Sequence, residues 1–473
     1  METLTPDICV IGAGAGGLSV AAGAARLGVS VVLIEKGEMG GDCLNAGCVP
    51  SKTLIASAGI AQAMRDAARF GIHASEPRVE WAAVRKRIAA TIAQIAPVDS
   101  EARYRAMGVR VIRAAGRFSD PRTVEAGGCA VRARRFVLAT GSSPLTPTIP
   151  GLELIRFLTN ETVFELDALP RRLIVLGGGP VGVELAQAFR RLGSEVVVLE
   201  QASLLAREDP ELAAIALDRL RREGVDLREN VEVLRIEPHH QGVRVVFAGT
   251  AMEHSVDGSH LLVATGRRAN VHNLGLEAAG VAFDAAGVQV GRHLRTTNRR
   301  VYAVGDVAGQ ERLTHAAGYH AEVVLRQILF RKRTAARPER IPRVTFTDPE
   351  IAWTGQSEAQ AREGRGGIRV LRAAFADNDR ARAEGATEGH IKVVTARDGR
   401  VLGCGVVGRS AGDLIAPWSL AVAHGLRAQD VAGVVAPYPT LSEVSRRAAF
   451  GAYADLAAAS WTRRALGFLR RFG

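Results

Sequence analysis

The sequence predicts an α/β fold with two Rossmann-like dinucleotide-binding domains and an α+β domain after them. Three observations carry that expectation. A glycine-rich strand–turn–helix–strand segment occupies Asp7–Glu35, and a second copy occupies Arg172–Glu200. Beyond Ile341 the pattern changes to a short helix capped by Ser357, a hairpin turning at Asp398–Gly399, and a helix over Ala411–His424. A chain of 473 residues with 47% hydrophobic content is long enough for several cores.

In the first copy ICVIG is an apolar strand, GAGAGG a turn, LSVAAGAARLG a small-residue helix and VSVVLIE a buried strand. Gly12, Gly14 and Gly17 allow a tight turn, close approach of backbone to a diphosphate, and close helix–strand packing. The diphosphate then rests on the helix N-terminus. Glu35 ends the returning strand, where a carboxylate can bind ribose hydroxyls. The uncharged run Ile8–Ala25 has the length of a membrane span, but its glycines and the missing basic flank argue against a span or a signal peptide.

Next comes Gly40–Lys52, GGDCLNAGCVPSK, with Cys43 and Cys48 five positions apart. A disulfide needs Cα atoms about 4.4–6.8 Å apart. Extended chain or regular helix would hold the pair farther apart than that, so the segment must coil tightly. A helix beginning here favours thiolate over thiol through its dipole. A dithiol beside a dinucleotide is a device for passing electron pairs. Cys9, Cys129 and Cys404 are expected to fill core space. One reactive pair and three free thiols suit a reducing cytosol, and no metal-ligand set is expected.

The second copy runs LIVLG, GGGPVG, VELAQAFRRLG, SEVVVLE, with Gly177, Gly179 and Gly182 as its fingerprint. Glu200 follows the third glycine at the same interval as Glu35 does. A carboxylate there accepts from a free 2′-hydroxyl and repels a 2′-phosphate, so NADH is expected over NADPH. The formal charge is +12, and only five of the 61 basic residues are lysines. The arginines are scattered and no nucleic-acid motif is present, so a nucleic-acid partner is not expected.

The chain resembles the pyridine nucleotide-disulfide oxidoreductases, the flavoenzyme family that includes dihydrolipoamide dehydrogenase, glutathione reductase and mercuric reductase. GGDCLNAGCVPSK, VLATGSSPLTPTIPG, GGGPVGVELA, LVATGRRAN, TTNRRVYAVGDVAG, VTFTDPEIAWTG and YPTLSE carry the likeness, in the family's order and over nearly the whole chain. The resemblance implies a discontinuous FAD domain at residues 1–151 and 269–340, an inserted NAD(P) domain at 152–268, and an interface domain at 341–473 that forms a homodimer. It places FAD on Gly12, Gly14, Gly17, Glu35, Lys36, Gly116, Thr140, Gly141 and Asp306, and the nicotinamide nucleotide on Gly177, Gly179, Gly182, Glu200 and Gly266. Cys48 is implied as the thiol nearer the flavin, Cys43 as the interchange thiol, and Lys52 with Glu184 as a pair beside the flavin ring. Electrons would pass from NAD(P)H through flavin to the disulfide and on to a small acceptor.

One departure bears on that acceptor. Disulfide-reducing members carry a histidine with a glutamate five residues beyond it; here Tyr438 replaces the histidine and Glu443 keeps its place. An imidazole titrates near neutrality and a phenol near pH ~10, so tyrosine is a poor base for a thiol proton. Mercuric reductases share a tyrosine in the matching segment and the AREDP run at Ala206–Pro210. They also carry an adjacent cysteine pair near the C-terminus, whereas no cysteine follows Cys404 here. The expected acceptor is therefore a soft metal ion such as Hg(II), or a disulfide. Dihydrolipoyl dehydrogenase activity with an unusual base is one alternative, and a flavoprotein donor for a membrane partner is another. The latter is suggested by a basic amphipathic tail, with Trp461, Ala465, Leu469 and Phe472 on one side of a helix. The sequence thus suggests a cytoplasmic enzyme whose tail offers peripheral contact with the inner membrane face.

Overall fold

The computed structural model describes residues 1–249, 252–309, 311–364, 367–454 and 460–472. The chain divides into two compact units. The first comprises residues 1–204 and 224–337, the second residues 205–223 and 338–473.

The first unit holds both glycine-rich copies. The Asp7–Glu35 copy folds as strand Ile8–Ile11, helix Ala15–Ala25 and strand Val31–Glu35. These strands join a five-stranded parallel sheet in the order Val301–Ala303, Arg135–Leu138, Ile8–Ile11, Val31–Glu35, Arg110–Arg113. Both faces of a parallel sheet are covered, which explains the unbroken apolar runs. Ile8, Cys9 and Val10 are fully buried. The second copy folds as strand Arg172–Leu176, helix Pro180–Leu192 and strand Glu195–Leu199. Its four-stranded parallel sheet runs Asp226–Arg228, Glu195–Leu199, Arg172–Leu176, His260–Val263. Cys9, Cys129 and Cys404 are all buried, as expected.

The second unit is built on an antiparallel five-stranded sheet, ordered Arg343–Thr345, Glu350–Gly355, Val401–Gly408, His390–Ala396, Ile368–Ala374. The hairpin expected at Asp398–Gly399 joins His390–Ala396 to Val401–Gly408. The Ser357 hydroxyl accepts from the Gln360 amide and caps helix Glu358–Gly364. The helix expected over Ala411–His424 is instead two pieces, Ala411–Leu414 and Ala416–His424. Pro417 is the reason: it has no amide hydrogen to continue the ladder and restricts the residue before it.

Helix Pro210–Arg222 also belongs to the second unit, and the AREDP run anchors it. The Asp209 side chain caps it by accepting from the Glu211 amide. Lys392, 4% exposed, places its Nζ 2.9 Å from Asp209, 2.9 Å from Glu211 and 3.0 Å from Glu358. Neighbouring Glu208 is buried against Arg343 and Thr345. Burial pushes its carboxyl up, while Arg343 opposes that shift.

Candidate active site

In an open parallel sheet, ligands bind beyond the carboxyl ends of the strands. The chain places Glu35 at the last position of such a strand, and its glycine loops, Glu200, Thr140, Gly141, Asp306 and Gly266 just beyond strand ends. The two loops use their glycines alike. A Cβ at Gly12 would lie 2.3 Å from the Ala139 carbonyl oxygen, and one at Gly177 would lie 2.4 Å from that of Ala264. Both positions have positive φ. A Cβ at Gly17 or Gly182 would strike the first glycine's carbonyl oxygen, at 1.9 and 2.1 Å. The middle glycines differ: a Cβ at Gly14 meets nothing nearer than 3.9 Å, and at Gly179 nothing within 4 Å. The middle position thus opens onto space beside a helix N-terminus, the cradle a diphosphate requires.

The two carboxylates repeat the same pattern. Glu35 accepts from the Ala13 amide at 2.5 Å and the Gly37 amide at 2.7 Å. Glu200 accepts from Gly178 at 2.6 Å and Ala202 at 2.8 Å. Each carboxylate oxygen has a second lone pair for a ribose hydroxyl. Lys36 beside Glu35 is exposed, and Gly116 packs under Ile34. Thr140 is latched to Asn270: its hydroxyl donates to the Asn270 carbonyl at 2.7 Å, and Asn270 Nδ2 donates back at 2.9 Å.

The dithiol segment lies against the first glycine loop. The Gly40 amide donates to the Ala13 carbonyl at 2.9 Å, and a Cβ at Gly41 would come within 2.8 Å of the Gly14 Cα. Cys43 sits in the short helix Gly41–Asn45, and Cys48 is the first residue of helix Cys48–Asp66. The tight coiling between the thiols is therefore a helical turn followed by a restart. Both cysteines are free, Cys43 half-buried and Cys48 exposed.

The environment separates their acidities. A hydrogen bond from Cys43 lowers the Cys48 thiol to about 6, with further help from Thr314 and the Lys52 charge, while burial opposes the shift. The Cys43 thiol is pushed far up, first by that same hydrogen bond and then by burial. Cys48 is therefore the thiolate and Cys43 its proton-bearing donor. The Thr314 hydroxyl stands 3.4 Å from Cys48 Sγ. Thr314 opens helix Thr314–Phe330, so two helix N-termini meet at this sulfur and favour its negative charge. Lys52 pairs with Glu184 at 2.8 Å, with side chains 36% and 6% exposed.

Around these groups runs a polar network that sequence reasoning missed. Arg267 lies 3.2 Å from Asp42 and 3.9 Å from Asp306, and its Nε donates to the Ser142 hydroxyl at 2.7 Å. Ser142 donates to Asp306 at 2.5 Å. Asn160 donates to Asp42 at 3.0 Å and to the Ala46 carbonyl at 3.1 Å. Fully buried His320 accepts from the Gly305 amide at 3.2 Å, just before Asp306, and burial lowers its imidazole to about 4.

Tyr438 and Glu443 lie in the second unit. Tyr438 is 71% exposed, and its hydroxyl donates to Asp379 at 3.3 Å. The Asp379 carboxylate raises the phenol further above its ordinary value. Glu443 Oε2 is buried without a hydrogen-bond partner among the described residues.

Residues 6–321 match the family described as pyridine nucleotide-disulphide oxidoreductase, and residues 341–449 match its dimerisation domain. The chain belongs to the pyridine nucleotide-disulphide oxidoreductase family. It is 35% identical to a mercuric reductase of Streptomyces lividans over 462 residues, covering 95% of this chain and 97% of the relative. It is 33% identical to a dihydrolipoyl dehydrogenase of Geobacillus stearothermophilus over 453 residues, covering 94% and 95%. Among solved structures, LpdA from Mycobacterium tuberculosis matches with a TM-score of 0.87 at 28% identity, covering 95% of this chain and 99% of that one. The HOCl-induced flavoprotein disulfide reductase RclA from Escherichia coli, solved as its Cu(II) complex, matches at 0.82 and 26%, covering 93% and 98%. The protein is thus an NAD(P)H-dependent flavin disulfide oxidoreductase, and FAD and a pyridine nucleotide are its family's cofactors. Among the described residues no helix is long and apolar enough to cross a membrane.

Proposed function

We propose that this flavin disulfide oxidoreductase delivers electron pairs from NADH through Cys48 and Cys43 to a soft divalent metal ion, with Hg(II) as the type acceptor. FAD would be held by Gly12, Gly14, Gly17, Glu35, Lys36, Gly116, Thr140, Gly141 and Asp306. The nicotinamide nucleotide would be held by Gly177, Gly179, Gly182, Glu200 and Gly266. The open middle glycines and the paired acids fit those groups. Glu200 favours a free 2′-hydroxyl and hence NADH. Bound FAD supplies hydride acceptance from the reduced nicotinamide and two-electron transfer to a disulfide.

The chain's own residues do the rest. Lys52, held by Glu184, supplies positive charge beside the thiolate. Cys48 keeps its charge through the Cys43 and Thr314 hydrogen bonds. Oxidising the Cys48 thiolate and the Cys43 thiol to one disulfide releases two electrons and one proton. The two electrons reduce Hg(II) to Hg(0) while the proton leaves to solvent, or, with one further proton from solvent, they reduce one disulfide to two thiols. Thiolates are the ligands such an ion prefers. The match to a dimerisation domain supports a homodimer.

The observation that favours the metal is Tyr438. Its hydroxyl donates to Asp379 and its phenol is held above the ordinary value. At neutral pH it is a donor and takes no proton from a dithiol substrate. The mercuric reductase relatives and the Cu(II) complex of RclA support the same reading. Dihydrolipoamide oxidation is the second reading, favoured by the dihydrolipoyl dehydrogenase relatives.

Parallel steady-state assays with Hg(II) and lipoamide separate them. The account predicts NADH-dependent Hg(II) reduction that Cys43→Ser abolishes, with weak lipoamide turnover that Tyr438→His raises. Strong lipoamide turnover in the unaltered protein, lost in Cys43→Ser, would reverse the order.

A further inference from the structure

The helix that follows residue 459 takes no part in the chemistry above, and its exposed apolar side is unexplained. Ser460–Leu469 is a helix, extended by one turn through hydrogen bonds from the Arg470, Arg471 and Phe472 amides. At 3.6 residues per turn, Trp461, Ala465, Phe468, Leu469 and Phe472 share one side, Arg464 and Arg471 lie along its edge, and Arg463 and Arg470 take the opposite side. The Phe468 and Phe472 rings touch, with centroids 5.0 Å apart. Trp461, Leu466, Phe468, Leu469 and Phe472 are all exposed. No acidic residue lies between Ser460 and Phe472.

An apolar face is costly to leave in water, and the Arg464 and Arg471 charges along its edge select an anionic cover. We propose that this helix docks the protein on an anionic phospholipid surface. Its aromatic and leucine side chains would enter the headgroup–acyl boundary, and its arginines would meet lipid phosphates. The charge decides between the two candidate covers. A second copy of this helix would set its own edge arginines beside Arg464 and Arg471, whereas an anionic bilayer neutralises them. Binding would be reversible, because an interfacial helix of this length is far weaker than a spanning one. The proposal stands apart from the identity of the electron acceptor.

The test uses the FAD-loaded full chain and a chain truncated after Ser460, with NADH oxidation by a soluble dye confirming that both are intact. Each is sedimented with vesicles of phosphatidylcholine alone, or with a third of phosphatidylglycerol. Trp461 is an internal probe, because Trp81, Trp353 and Trp418 are buried. The expected result is binding at least about tenfold tighter to the anionic vesicles, weakened by salt, with a blue shift of tryptophan emission that the truncated chain lacks. A full chain with all four tail arginines changed to alanine should lose the anionic preference. Equal binding by full and truncated chains would overturn the proposal. So would equal binding to both vesicle types. A truncated chain that falls from dimer to monomer, with no vesicle binding by the full chain, would assign the face to a second copy and overturn it too.

Discussion

Replacing Cys43 with alanine removes the hydrogen bond that contributes most to holding Cys48 at about 6. With that midpoint, about nine-tenths of Cys48 is thiolate at pH ~7. A hydrogen bond to a charged group is worth ~1.5–3 kcal/mol, which equals about one to two pH units of midpoint. Thr314 and Lys52 remain, so the alanine variant should titrate near pH ~7–8. Its thiolate fraction at pH ~7 should then fall to between about one-tenth and one-half. Cys43→Ser keeps a hydroxyl donor in place and should stay much closer to the original midpoint. The assay is iodoacetamide alkylation of the reduced protein across pH, with the adduct located at Cys48 by peptide mass. The three other cysteines are buried and should not react. Serine and alanine variants that titrate together, or an alanine variant still near 6, would refute the hydrogen-bond argument.

Further predictions rest on separate parts of the molecule. Gly14→Ala and Gly179→Ala should leave thermal stability nearly unchanged yet weaken FAD and nicotinamide binding respectively, each by at least about tenfold, since their Cβ atoms enter open cradles. Gly17→Ala and Gly182→Ala should instead lower the melting temperature, because a carbonyl oxygen already fills the space. His320 titrates near 6.5 when unfolded and about 4 when buried. The unfolded chain therefore takes up a proton that the folded chain refuses, so stability is full above the higher value and falls by ~3 kcal/mol as pH drops through that window. His320→Gln, which keeps an acceptor for Gly305, should flatten that part of a urea-midpoint-against-pH curve. Lys392→Met leaves three carboxylates without their shared cation and should cost roughly 3–5 kcal/mol, read as a lower urea midpoint.

How much of this was legible in the sequence follows from where the information lies. The two nucleotide-binding copies were readable because each is local, one turn and two buried strands within about thirty residues. The dithiol and its coiling were readable for the same reason. Thr314 was not, because it meets Cys48 across 266 positions and a threonine at a helix start ordinarily reads as a cap. Arg267, Ser142 and Asn160 likewise converge on Asp42 and Asp306 only through tertiary folding. At Tyr438 the departure from the family's histidine was visible, but the Asp379 carboxylate that decides its acidity was not. The helix expected through Ile415 failed on a local signal, Pro417, that the apolar pattern outweighed.

Anaerobic titration of the FAD-loaded protein with NADH tests the central claim most directly. If Cys48 is the thiolate beside the flavin, the two-electron-reduced protein shows a long-wavelength absorption band that titrates near pH 6, persists in Cys43→Ser and vanishes in Cys48→Ser. A flavin that bleaches with no such band, or a band that survives Cys48→Ser, would contradict the account.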